Sequence, residues 1–234
     1  MQDRPTPTLD SSFSVFRTLR ETNSLRAIRS RQTMQLISSL IENATIQEKA
    51  KTRIFAGFQR MGKFVRRLAR YNTLSFNAEI VYVFGVPDVP VPQIPNVIYV
   101  PLQPTDQLAK EWFLVSYGSE YWSALATQEI TSIDDPDPLR QFDGYWTFDH
   151  ALISTLHDEL ARAVDAPRLP FDPSRRNFDR QVFLMGRAMD RLTTRLERVD
   201  SRHRTDTETS KTDFAAAMKP ISTVTQNEGS KSAK

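Results

Sequence analysis

Residues 80–84, Ile-Val-Tyr-Val-Phe, constrain this chain more than any other stretch. Five consecutive β-branched or aromatic residues favour an extended backbone, and Gly85 and Pro87 stop the run. So short an apolar run reads as a strand buried on both faces. Beyond it, Pro87, Pro90, Pro92 and Pro95 have no N–H to give a sheet ladder. Residues 86–95 are therefore expected to leave the strand's carboxyl end as an extended loop, a common way to build a binding rim.

The flanking segments supply neighbours for this strand. Residues 53–58 read as a strand. Residues 61–71 read as a helix, with Met61, Phe64, Val65, Leu68 and Tyr71 on one face and Arg60, Lys63, Arg67 and Arg70 on the other. Strand, helix and strand imply a right-handed parallel crossover. Residues 97–100 form another short strand between Pro95 and Pro101. Residues 111–117 and 121–127 form a hairpin turning at Gly118-Ser119-Glu120, and 145–148 an edge strand. Ile37, Leu40, Ile41 and Ala44 make the apolar stripe of a helix over 34–46, and Asp149 can cap a helix over 150–164. The expected fold class is α/β: a mixed sheet of about five strands with helices on its faces, plus a long C-terminal helix.

That last helix, 177–200, carries Phe178, Val182, Met185, Met189, Leu192, Leu196 and Val199 at alternating spacings of four and three, a heptad seam. The seam has to be buried on its own domain or against a second copy. Gly186, which weakens the helix, and the prolines before it favour pairing, hence a homodimer. The expected organisation is a partly disordered arm (1–31), a domain (32–164), a proline linker (165–176), the seam helix (177–200) and a disordered polar tail (201–234).

Net charge is +9 over residues 1–76, −10 over 77–175 and +4 over 176–234. Such opposition suits docking of basic helices on an acidic region, or simply solvated faces. Cysteine is absent, which excludes disulfides, thiolate metal sites and cysteine nucleophiles and fits a cytoplasmic location. No apolar run is long enough to span a membrane, and no signal-peptide core is expected at the start.

Enzyme signatures are scarce. The 7 glycines are dispersed, so there is no phosphate-cradling loop or dinucleotide fingerprint. His150 and His157 stand two helical turns apart, unlike a metal pair, and Asp134, Asp135 and Asp137 read as a solvated turn. His157-Asp158-Glu159 has the look of a phosphoacceptor histidine, with a surface histidine as the plainer reading. No metal and no cofactor are expected. The aromatic set Phe84, Tyr99, Trp112, Tyr117, Trp122 and Trp146 reads as core or as a pocket lining.

Phe58-Gln59 after a strand, Arg70-Tyr71 closing a helix, 81–88 (Val-Tyr-Val-Phe-Gly-Val-Pro-Asp), 106–115 and 142–149 (Phe-Asp-Gly-Tyr-Trp-Thr-Phe-Asp) together resemble the DICT sensory domain of cyanobacterial diguanylate cyclases and two-component proteins, over about 35–160. The resemblance implies a non-enzymatic cytoplasmic sensor that relays a signal by protein contact, within two-component or cyclic di-GMP signalling. Its partner would be a kinase, response regulator or diguanylate cyclase in trans, since no output domain is attached, and its ligand an unknown small molecule. Motif positions supply Gln59, Gly85, Asp88, Glu111 and Trp112. With Arg60 they form the expected ligand crevice at the strand ends beside the proline loop. The competing reading is a nucleotide- or nucleic-acid-binding regulator that uses the basic helix 60–70.

Overall fold

The computed structural model describes residues 10–22, 28–131, 141–167, 169, 172, 174–195 and 197. Residues 1–192 form one compact unit and 193–234 a second, of which only the end of a helix is described. The polar tail expected over 201–234, residues 1–9 and 23–27 of the expected arm, and the Asp134–Asp137 turn lie outside the described residues.

Among the described residues six strands make one mixed sheet: β1 (Arg53–Arg60), β2 (Ile80–Val86), β3 (Val97–Pro101), β4 (Glu111–Tyr117), β5 (Trp122–Glu129) and β6 (Phe142–Thr147), in the order β3-β2-β1-β4-β5-β6. β1 and β3 flank β2 in parallel, and β4, β5 and β6 continue the sheet antiparallel. The 80–84 run is the strand its composition demands: Val81, Tyr82, Val83 and Phe84 are all buried.

Alternation along the strands divides the core in two. One face carries Ile54, Ala56, Val81, Val83, Leu114 and Leu125, covered by α2 (Arg31–Ile46), α3 (Met61–Val65) and α4 (Leu68–Asn77). The other carries Phe55, Tyr82, Phe84, Phe113 and Val115, covered by α1 (Val15–Thr22) and α5 (His150–Ala163). Val15, Phe16 and Leu19 of α1 are buried, so this part of the N-terminal arm belongs to the core. Asp149 caps α5 by accepting from Leu152 N at 2.9 Å. The aromatic set is split between the faces: Phe84, Tyr117 and Trp122 on one, Tyr99, Trp112 and Trp146 on the other.

The helix expected over 61–71 is two. α3 ends at Val65, Arg67 N bonds Phe64 O at 2.7 Å in a tight turn, and α4 starts at Leu68. The cause is an aromatic knot. Phe58, Phe64 and Tyr71 meet edge to face with all three centroid distances 5.3 Å. Residues seven apart in a straight helix are separated by roughly 10 Å along its axis, so the corner is what lets Phe64 and Tyr71 close on Phe58. It also turns Arg67 and Arg70 onto Glu42 of α2. The cationic residues thus do not line one outward face.

His157 is 2% exposed and packs against Phe55 and Tyr117, at centroid distances of 5.6 and 4.7 Å. That burial is the wrong setting for a phosphoacceptor. Burial, assisted by the charge of Arg53 and opposed by Asp158, depresses its pKa below 6.5. A histidine depressed in the fold stabilises it above its unfolded pKa and loses that stabilisation as pH falls through the folded one. We expect the urea midpoint to drop between pH 7.5 and pH 5, and to drop less in His157→Leu. Equal drops in the two proteins would assign the acid sensitivity elsewhere. His150, whose pKa is also depressed by burial, leaves a residual slope.

The last helix, α6, covers 178–195. Its most buried residues lie off the heptad seam, although the seam's Phe178 sets its ring edge-on to Trp122 at a centroid distance of 5.4 Å. Gln181, Leu184 and Ala188 are buried, while Phe178 (59%), Val182 (67%) and Met189 (39%) are exposed. Met185 and Leu192 are half-buried, and Leu196 and Val199 fall outside the described side chains. The docking is polar where the sequence pattern shows only apolar spacing. Gln181 accepts from Trp122 N and donates to Trp122 O, both at 3.0 Å. Arg180 donates to Glu48 O at 2.8 Å, and Arg191 reaches the Glu48 carboxylate at 2.5 Å.

Candidate functional site

The site grows from an irregularity at the carboxyl end of β1. The register with β2 slips between Gly57 and Arg60, and Gln59 takes a left-handed φ of 64°. Strained, bulged strand ends tend to mark places where a side chain is re-aimed for use. Here the bulge aims Gln59 into the protein. Gln59 Nε2 donates to Glu129 Oε2 at 2.9 Å and to Lys110 O at 3.2 Å, and Gln59 Oε1 accepts from Lys63 Nζ at 2.8 Å. One side chain therefore ties together the ends of β1 and β5, the turn before β4, and α3.

Two cavities share Gln59. The first, about 380 Å³, lies between α2 and the α3–α4 corner. Its floor includes Phe58, Trp112, Leu114 and Phe142, and Tyr71 closes it at the corner. The second, about 500 Å³, opens toward the proline loop and is lined by Gln59, Arg60, Asp88, Lys110 and Glu129 among others.

The strand register puts all six expected crevice residues at one end of the sheet, but not into one space. Gln59, Arg60 and Asp88 line the second cavity, while Trp112 shares the first with Gln59. Gly85 lies beneath the bulge: a Cβ there would come within 3.3 Å of the Arg60 and Met61 backbone. Asp88 Oδ1 accepts from Gly62 N at 2.7 Å, so its carboxylate caps the first turn of α3.

Glu111 stands apart from both cavities. It is fully buried and faces α1, where Oε1 accepts from Ser14 Oγ at 2.5 Å and Oε2 from Phe16 N at 3.0 Å. Burial pushes its carboxyl pKa up, against the lowering effect of these donors. Ser14 Oγ also accepts from Arg17 N at 2.9 Å, so Glu111 anchors the capped start of α1. Glu111 thus fastens the N-terminal segment and lines neither cavity.

Motif reading missed the α2 wall of the first cavity: Arg31, Gln35, Ser38 and Glu42, spaced four, three and four apart along one helical line. The available signal was Glu42 placed directly after Leu40 and Ile41 on an apolar helix. Glu42 is 3% exposed and is gripped by Arg70, with Arg67 at 3.6 Å. Burial first, and Glu42 next, hold the Tyr71 phenol well above its ordinary pKa. Ser38 Oγ is buried without a hydrogen-bond partner among the described residues. Among the described residues no group of three or more His, Cys, Asp or Glu is placed to hold a metal ion, and no helix is long and apolar enough to cross a membrane.

Residues 10–130 match the family described as DICT, the sensory domain in diguanylate cyclases and two-component systems. The match starts earlier and stops earlier than the 35–160 drawn from motifs. It runs from the segment before α1 to the end of β5, and so includes Gln59 and the proline loop. No curated protein and no solved structure matches.

Proposed function

The chain belongs to the DICT family of sensory domains, and we propose that it works as a non-enzymatic cytoplasmic module that binds a small molecule at the β1 bulge and passes the signal on by protein contact. The output surface in this reading is the outer face of α6, which pairs with a second copy and presents the dimer to a kinase, response regulator or diguanylate cyclase in trans. The observation that carries it is the division of labour on α6. Gln181, Leu184 and Ala188 hold the helix to the domain, with the Phe178 ring edge-on to Trp122, while Val182 and Met189 stand exposed on the heptad seam. A helix already fixed along one stripe loses little further freedom when a second stripe pairs.

Its placement supports a relay. α6 docks at Trp122 and Glu48, at the end of the sheet opposite the Gln59 bulge. Strands β1, β4 and β5 therefore run from the cavities to the output helix. The competing reading of 60–70 as a basic nucleic-acid surface is disfavoured by the corner at 66–67, which turns part of its charge inward.

Light scattering on the purified chain tests the reading. The wild type is expected to be a dimer. Val182→Asp and Met189→Asp should each weaken it at least tenfold, about 1.4 kcal/mol, with the thermal midpoint of the monomer unchanged because both positions are exposed. A monomeric wild type, or a dimer indifferent to both changes, would sink the pairing.

A further inference from the structure

We propose that the cavity between α2 and the α3–α4 corner binds a small anion that carries a flat ring, the shared chemistry of a mononucleotide and an aromatic carboxylate. The proposal rests on the sensory reading for its purpose and names the class of ligand sensed. Its volume, about 380 Å³, falls in the range of small-molecule sites.

The floor is apolar and partly aromatic. Trp112 is half-buried, with Phe142 edge-on to it at a centroid distance of 6.4 Å, so a planar ring has a surface to lie against. The walls bring four cations, Arg31, Lys63, Arg66 and Arg67, against one carboxylate, Glu42, which Arg70 already grips. The neighbouring cavity, where Arg60 and Lys110 face Asp88 and Glu129, has no such excess.

Ser38 supplies the independent observation. Ser38 is one of the lining residues and 4% exposed, and its oxygen has no hydrogen-bond partner among the described residues. A buried hydroxyl left unbonded is costly, and an oxygen of a bound anion would satisfy it. The geometry also favours a small molecule. These cations line a concavity floored by the sheet, a shape that suits a small molecule better than an extended nucleic-acid backbone.

Calorimetric titration of the full chain separates the components. Adenosine monophosphate and 2-naphthoate each combine ring and charge, adenosine has the ring alone, and inorganic phosphate the charge alone. At least one ring-bearing anion is expected to bind with Kd below ~1 mM, and the matching single-feature control at least tenfold more weakly. Binding of the nucleotide alone, or of the naphthoate alone, supports the site and assigns the source of the anion. Arg66→Glu changes an exposed residue at the cavity rim and should weaken binding at least tenfold. Ser38→Ala should weaken it severalfold while leaving or raising the thermal midpoint of the free protein, a pairing that mere structural damage would not give. Absence of binding by both anions, or binding unchanged in both variants, overturns the proposal. Because no output is measured, a ligand that binds without altering the dimer counts against the relay and not against the site.

Discussion

Glu79→Gln is expected to destabilise the domain more than Arg53→Met, although the two changes break the same ion pair. Arg53 is 1% exposed, and its guanidinium meets Glu79 Oε1 at 2.8 Å and donates to Pro167 O at 2.7 Å. Glu79 keeps 23% of its side chain exposed. Neutralising the carboxylate takes a counter-charge from a buried cation, and breaking a buried pair by removing one partner costs about 3–5 kcal/mol. Glu79's partial exposure places the expected loss at the lower end, about 3 kcal/mol. Arg53→Met removes the buried charge itself and leaves a carboxylate that can turn to solvent. Its main loss is the donor to Pro167 O, about 1–2 kcal/mol. Urea unfolding of the two variants at pH 7.5 measures the order, and the reverse order would show that Arg53 acts chiefly through packing. Arg53→Met should also lessen the acid sensitivity attributed to His157, because the Arg53 charge helps depress that pKa.

The elements most legible in the sequence were those decided locally. The 80–84 run, the proline loop, the turn at Gly118 and the Asp149 cap each follow from a few neighbouring residues, and all lie where their chemistry puts them. What local pattern could not show was decided by partners distant in sequence. The corner at 66–67 depends on Phe58 and Glu42, which the helical period of 61–71 does not contain. The docked stripe of α6 was invisible because its key residue is a glutamine that pairs with the Trp122 backbone, 59 residues away. Counting apolar positions selected the seam, of which the domain leaves Val182 and Met189 exposed. Glu111 looked like a rim residue until Ser14, 97 residues earlier, supplied its partner. Strand order brings the six expected crevice residues to one end of the sheet. The division of that end into two spaces follows from the Gln59 bulge, which no spacing of residue types encodes.

The bulge has a companion one step back along β1 that yields the second large effect. Gly57 pairs with Phe84 of β2 on one side and Phe113 of β4 on the other. Those rings approach to 5.5 Å between centroids. Two side chains from strands separated by an intervening strand meet because that strand has no side chain at this point. A Cβ on Gly57 would lie 2.3 Å from the Phe113 ring, with no room to fit unless the ring moves. Gly57→Ala is therefore expected to cost about 1–3 kcal/mol as overpacking. Phe113→Ala, which empties a fully buried site, should cost about 3–5 kcal/mol. The two costs have opposite causes, so they should not add. In the double variant the new methyl group enters space that the ring has vacated, and the strain term vanishes. We expect the double variant to be no less stable than Phe113→Ala alone, and the coupling to exceed about 1 kcal/mol, well beyond the ~0.5 kcal/mol within which independent sites add. Denaturant unfolding of the four proteins measures it. Simple additivity would mean that Phe113 can swing clear of Gly57 without cost, and that the contact across β1 is incidental.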